Sequence, residues 1–194
     1  MIEHSDFRFY HIPKTGGSTI GRFLERHLLG CTRRYPTHAP PIDVPVDRLS
    51  FTIIRKPDDW ICSLFRNRIR DEFGKADPHK REQPEDAWAR KEFNGFVRAL
   101  LESPRGRAWC SQVYSWYLIE PRLIVLPTEK LDSVFPLFSR ENNISINQDQ
   151  WSGFARENTS TGEKPKWDKE VHQQWLERNW WAMKQWEQAR NRYS

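Results

Sequence analysis

Two short stretches carry residue types suited to holding anions, and each sits where an apolar run gives way to a helical pattern. In the first, HIPKTGGSTI, Lys14 and Thr15 are followed by Gly16 and Gly17 and then by the hydroxyls of Ser18 and Thr19. Paired glycines let the backbone turn tightly and approach a ligand closely. Several main-chain N–H groups then converge beside the positive end of a helix dipole, a geometry that takes phosphate or sulfate. Lys14 adds a full charge. An ordinary turn with Ser18 as helix cap would use some of the same residues; the strand before, the helix after and the lysine together favour an oxyanion site. In the second stretch, FTIIRKPDDWICSLF, Arg55 stands at the carboxyl end of a strand, where open α/β sheets bind ligands, and Ser63 follows on the first turns of a helix. A guanidinium can grip a phosphate with two parallel hydrogen bonds and a serine can add a donor. Pairing of Arg55 with Asp58 or Asp59 is the structural alternative.

The elements that must position these groups read as an α/β domain. Arg8–Ile12, Phe51–Ile54 and Leu123–Leu126 are short apolar runs bounded by turn signals, as buried strands are. Ser18–Leu29 is helical, with Ile20, Phe23, Leu24 and Leu28 on one face. Further helices are predicted from Asp58 or Asp59 to Phe73, over Ala87–Glu102, Ala108–Ile119 and Glu129–Ser139, and as one long terminal helix over Asp168–Tyr193. The proline-rich stretch 31–50 is predicted as an ordered loop, 74–86 as an exposed polar loop and 141–166 as irregular. Strands alternating with helices predict a P-loop-like three-layer fold, with a small, mainly parallel sheet flanked by helices.

Composition bounds what such a domain can be. The chain has 194 residues, which suits one domain spanning 1–194. A formal net charge of +5 favours anionic ligands without naming one. Residues 66–92 interleave basic and acidic side chains, so no nucleic-acid surface is expected there. No apolar run has the ~20 residues of a membrane span, and the first residues lack the pattern of a secretory leader, so a cytoplasmic protein is expected. Cys31, Cys62 and Cys110 are too few and too scattered for a disulfide framework. The unusual feature is 10 tryptophans, with Trp167, Trp175, Trp180, Trp181 and Trp186 crowded near the end of the sequence. Helical spacing of Val171, Trp175, Met183 and Trp186 predicts that most of these rings are core. Trp60 lies inside the second motif and can either stack on a ligand or pack in the core.

A nucleoside-triphosphate P-loop reads G-x-x-x-x-G-K-[ST]. Here the lysine precedes the glycines and no GKS or GKT occurs. HIPKTGGSTI instead resembles the 5′-phosphosulfate loop of sulfotransferases that use 3′-phosphoadenosine 5′-phosphosulfate (PAPS), and is closest in wording to carbohydrate sulfotransferases of the heparan-sulfate 2-O type and their bacterial relatives. RKPDDWICSLF is similar to the R-x-P-x-x-R-x-x-S motif of that superfamily, with Trp60 where the second arginine often stands. VLPTEKL (125–131) and ARENTSTGEK (155–164) are weaker echoes of its strand-E-x-L segment and nucleotide-covering loop.

The resemblance implies an enzyme that moves a sulfuryl group from PAPS to an acceptor hydroxyl, with a saccharide as the expected acceptor, 3′-phosphoadenosine 5′-phosphate (PAP) as the product and no required metal. Lys14 and residues Thr15, Gly16, Gly17, Ser18 and Thr19 would hold the phosphosulfate. Arg55 and Ser63 would hold the 3′-phosphate, and Ser160, Thr161, Gly162 and Lys164 would cover the nucleotide. Histidine suits general-base work near neutral pH. His38, in the loop between the two motifs where related sulfotransferases carry a histidine base, is the expected one, with a carboxylate from 71–86 as the alternative. Arg22, Arg26, Arg33 and Arg34 can attract an anionic acceptor or simply form a solvated face. Two other functions compete: a nucleotide kinase on a P-loop-like fold, and a non-catalytic protein that binds a nucleotide or sugar.

Overall fold

The computed structural model describes residues 1–34, 38, 40–41, 47–70, 92–104, 108–154 and 163–193. They form two compact units. The first comprises Met1–Lys56, Val113–Thr159 and Gln185–Ser194; the second comprises Pro57–Gln112 and Ser160–Lys184.

The first unit is built on a five-stranded sheet. Its strands are β1 (Ile2–Glu3), β2 (Phe7–Tyr10), β3 (Thr32–Arg33), β4 (Leu49–Ile54) and β5 (Ile124–Pro127), in the order β3-β1-β2-β4-β5. The sheet is mixed, whereas a mainly parallel one was expected. β2 pairs parallel with β4, and β4 with β5, while β1 runs antiparallel to both β2 and β3. The parallel part places the carboxyl ends of β2, β4 and β5 on one edge. The two antiparallel strands have two residues each, too short to show any periodicity, and β3 falls in the stretch expected to be loop.

The first unit also carries helices α1 (Gly17–His27), α5 (Leu131–Glu141) and α6 (Gln148–Ser152), with a single 3-10 turn over Thr128–Lys130. Alternation along the strands sends Phe7 and Phe9 of β2, and Phe51 and Ile53 of β4, to one face of the sheet. There they join Ile20, Phe23 and Leu24 of α1 and Phe135 and Phe138 of α5 in one apolar cluster. Phe23 meets Phe135 and Trp151 edge-on, at 6.0 Å and 5.0 Å between ring centroids, a favoured aromatic geometry. Ile20, Phe23 and Leu24 on the buried face of α1 fix the helix, and therefore the loop before it, against the sheet.

The second unit contains α2 (Pro57–Arg70), α3 (Phe93–Glu102) and α7 (Lys169–Arg178), and α3 packs on both α2 and α7. Helix α4 (Trp109–Tyr117) gives its first residues to this unit and the rest to the first, and α8 (Trp180–Arg192) is likewise shared. Asp58 and Asp59 lie in the first turn of α2, where acidic groups complement the helix dipole.

The terminal segment is two helices, α7 and α8, where one was expected. The break falls at Asn179, which is fully buried. Its side-chain oxygen accepts from the Ser111 N–H at 3.1 Å, and its amide donates to the Trp175 carbonyl at 3.0 Å. The Ser111 hydroxyl accepts from the Ala182 N–H at 3.2 Å. An asparagine that offers the backbone other partners competes with the helical ladder. The expectation that the tryptophans are mainly core holds for Trp175 and Trp186, which are buried, but not for Trp180, which is 61% exposed. Trp60 is 1% exposed, so it is a core ring. None of the three cysteines is joined in a disulfide. Among the described residues no helix is long and apolar enough to cross a membrane.

Candidate functional site

The loop between β2 and α1 turns on two residues in the left-handed region: Lys14 has φ 66° and Gly16 has φ 87°. Glycine accepts that conformation without strain, whereas a lysine there is uncommon. Such outliers persist where the surroundings over-determine them, and binding sites are where they gather. Gly16 is also the N-cap residue of α1, with no side-chain cap and no acidic residue in the first turn. The Thr19 N–H donates to the Gly16 carbonyl at 3.1 Å. The N–H groups of Gly17 and Ser18 thus stand at the start of the helix, where an anion is the natural partner. The Thr15 hydroxyl donates to the Ile12 carbonyl at 2.8 Å, so this side chain braces the loop and only its main chain can face a ligand.

The next strand ends are tied to this loop. The Thr128 hydroxyl, immediately after β5, lies 2.6 Å from the Thr15 carbonyl and 2.9 Å from the Ile54 carbonyl, so its one proton is shared between them. It thereby ties the loop that follows β2 to the ends of β4 and β5. Arg55 follows Ile54 at this edge, and no carboxylate of its own unit pairs with its guanidinium among the described residues.

His38 is brought to the same loop through His11. The rings of the two histidines are 4.5 Å apart between centroids. His38 Nδ1 donates to the His11 carbonyl at 3.0 Å, and the Tyr117 hydroxyl donates to the His38 carbonyl at 2.6 Å. A carbonyl can only accept, so Nδ1 carries the proton and a neutral His38 presents Nε2 as its basic nitrogen. The His11 ring lies directly over Gly17: a Cβ built on Gly17 would fall 2.1 Å from His11 Cδ2. Gly17 is therefore glycine because a ring occupies the space its side chain would take, and the histidine that fills it is the one against His38.

Burial and the neighbouring positive groups, His38 first among them, hold the His11 pKa down to about 3. His11 is consequently neutral wherever His38 acts as a base. The same shift couples folding to pH. Between about pH 6.5 and about pH 3 the unfolded chain binds a proton that the folded chain does not, so stability falls as the pH is lowered through that window. One such group contributes at most ~1.4 kcal/mol per pH unit. Thermal unfolding from pH 7 to pH 4 should show this decline, and His11→Gln should flatten it; equal slopes in the two proteins would mean that other groups set the acid limit.

The remaining expected residues are distributed as follows. Ser63 lies on α2 and Lys164 in the segment before α7, both in the second unit. Lys164 pairs with Asp59 at 2.6 Å, and Arg66 donates to the Glu163 carbonyl. Ser160, Thr161 and Gly162 lie outside the described residues, as do all the carboxylates of 71–86 considered as an alternative base. The suggested basic group is largely engaged: Arg33 makes a bidentate pair with Glu25 at 2.8 Å and 2.6 Å, and Arg34 bonds Glu3 at 2.7 Å. Arg26 sits 5.7 Å over the ring of Phe154. Sequence reasoning did not single out His11, Thr128, Tyr117, Tyr114 or Glu129 as parts of the site. VLPTEKL contained the two residues after β5, but their partners lie far away along the chain.

No protein-family model, curated protein or solved structure matches the chain.

Proposed function

We propose that this protein is a PAPS-dependent sulfotransferase acting on a hydroxyl, with a saccharide as acceptor. The observation that carries this reading is the meeting of a basic nitrogen and an anion-binding loop: His38 packs on His11, and His11 packs on Gly17 at the start of α1. The donor set suits a phosphosulfate. It offers the N–H groups of Gly17 and Ser18, the Ser18 hydroxyl and Lys14, with no acid in the first turn of α1. Arg55, on the same sheet edge, suits a second anionic group, the 3′-phosphate; Ser63 and the 160–164 segment are carried with it as proposed contacts. The P-loop-like description of the fold belongs to this reading.

PAPS supplies the sulfuryl group. The acceptor oxygen forms a bond to sulfur as the bond from sulfur to the phosphate oxygen breaks, and PAP leaves. His38 Nε2 takes the acceptor proton, which leaves the imidazole cationic beside a neutral His11. Lys14 faces the negative charge that grows on the departing phosphate oxygen, where a fixed cation lowers the barrier. The loop and Arg55 supply position, which a transfer between two bound partners needs most.

The nucleotide assignment is tested by calorimetric titration with PAP and with ADP. PAP should bind in the micromolar range and ADP at least tenfold more weakly, since each tenfold is ~1.4 kcal/mol and an arginine–phosphate contact is worth about that or more. Equal affinities would remove the 3′-phosphate from the account.

A further inference from the structure

Two consecutive peptide groups at the end of β4 are held by side chains from distant parts of the first unit. The Tyr114 hydroxyl donates to the Arg55 carbonyl at 2.6 Å and accepts from the Arg55 N–H at 3.0 Å. It thus closes both polar groups of one residue with a single oxygen. The Lys56 N–H donates to Glu129 Oε1 at 2.8 Å, and Glu129 Oε2 accepts from the Trp186 indole N–H at 2.9 Å. Tyr114 is fully buried, and Trp186, which holds the exposed Glu129 in place, is 7% exposed. The ammonium of Lys56 lies 5.7 Å above the Trp186 ring.

Strand ends are ordinarily free to splay, since their last peptide groups have left the ladder. Here one stretch of chain receives three hydrogen bonds from two side chains, immediately beside an arginine that no carboxylate of its unit neutralises among the described residues. The bonds that fix Arg55 are made by its main chain and leave its guanidinium out. A short polar handle of this kind sets the direction in which a long side chain leaves the sheet, and thus where a bidentate grip can form.

We infer that Tyr114 and Glu129 are positioning residues for Arg55, and that through it they set the preference for a 3′-phosphorylated nucleotide. This rests on the proposed role of Arg55 in holding the 3′-phosphate.

The experiment is parallel titration of wild type, Arg55→Ala, Tyr114→Phe and Glu129→Gln with PAP and with ADP, with thermal unfolding of each. Tyr114→Phe removes both bonds to Arg55 without changing the ring, and Glu129→Gln leaves one acceptor oxygen for two donors, the Lys56 N–H and the Trp186 indole N–H, so that the handle loses one of its bonds. Arg55→Ala should abolish the PAP preference. Tyr114→Phe and Glu129→Gln should each reduce it about tenfold while leaving ADP affinity unchanged. A general weakening of the fold would lower both affinities together and leave their ratio intact. Retention of the preference in both Tyr114→Phe and Glu129→Gln, with its loss in Arg55→Ala, overturns the inference and leaves the nucleotide assignment standing. Retention in Arg55→Ala removes the assignment itself, and the inference with it. Glu129 is exposed, so Glu129→Gln decides the matter if Tyr114→Phe does not fold.

Discussion

Lys14→Ala is expected to lower the turnover of sulfuryl transfer by about 10²–10³, the usual cost of removing one group that meets developing oxyanion charge. His38→Ala should lower it by about 10²–10⁴, the range for a positioned general base. Neither change should lower the melting temperature much. His38 is exposed and its contacts run largely through its carbonyl and one ring nitrogen. Lys14→Ala keeps a side chain at φ 66° and so keeps whatever backbone strain the loop carries. The two variants should also separate by step. If the proposed roles hold, His38→Ala should leave PAP affinity unchanged, because a base for the acceptor touches no part of the nucleotide, whereas Lys14→Ala should weaken it. A His38→Ala enzyme with unchanged turnover would end its assignment as base.

The second large effect concerns two glycines four residues apart on one helix. At Gly17 an added methyl would meet His11 Cδ2, Nε2 and Cγ at 2.1, 2.7 and 2.8 Å. The imidazole is buried and held against His38, so it cannot step aside without moving the candidate base. Forcing a methyl into such a site costs about 1–3 kcal/mol, and Gly17→Ala should lose both several degrees of melting temperature and most of its activity. At Gly21 the same methyl would meet its nearest neighbours at 3.6 Å or beyond, an ordinary contact. Glycine inside a helix costs ~0.5–1 kcal/mol relative to alanine, so Gly21→Ala should raise the melting temperature and leave activity intact. Opposite signs for the two substitutions are the expected result, with part of the Gly17→Ala loss of stability restored by adding His11→Ala. Equal effects would show that the His11 ring yields easily, and would weaken its role as the link between His38 and the loop.

The sequence made the central part of this arrangement readable because it is local. An apolar run, a Gly-Gly turn and a helix with Ile20, Phe23 and Leu24 on one face identify β2, the loop and α1 without reference to anything distant. Arg55 was readable for the same reason, standing where FTII ends. What was not readable depends on tertiary partners. The antiparallel strands Ile2–Glu3 and Thr32–Arg33 have no pattern of their own: the first is defined by its pairing with β2 and the second by its pairing with the first. Asn179 ends α7 through Ser111, 68 residues earlier in the chain. Tyr114 lies 59 residues from Arg55, and Glu129 lies 73 from Lys56; nothing in the spacing of either marks it as a handle. Gly17 was read as half of a tight turn that lets the backbone approach a ligand, but its second reason, the histidine ring lying over it, appears only once the strand and helix are folded together. Trp60 was open to either reading from its place in the motif, and its burial assigns it to the core.

The wild-type arm of the turnover comparison is the most direct test of the central claim. Protein incubated with PAPS and a panel of saccharides, without added metal, should release PAP in equal amount to a sulfated saccharide. Tight PAP binding with no sulfated product across the panel, or hydrolysis of ATP that depends on Mg²⁺, would contradict it.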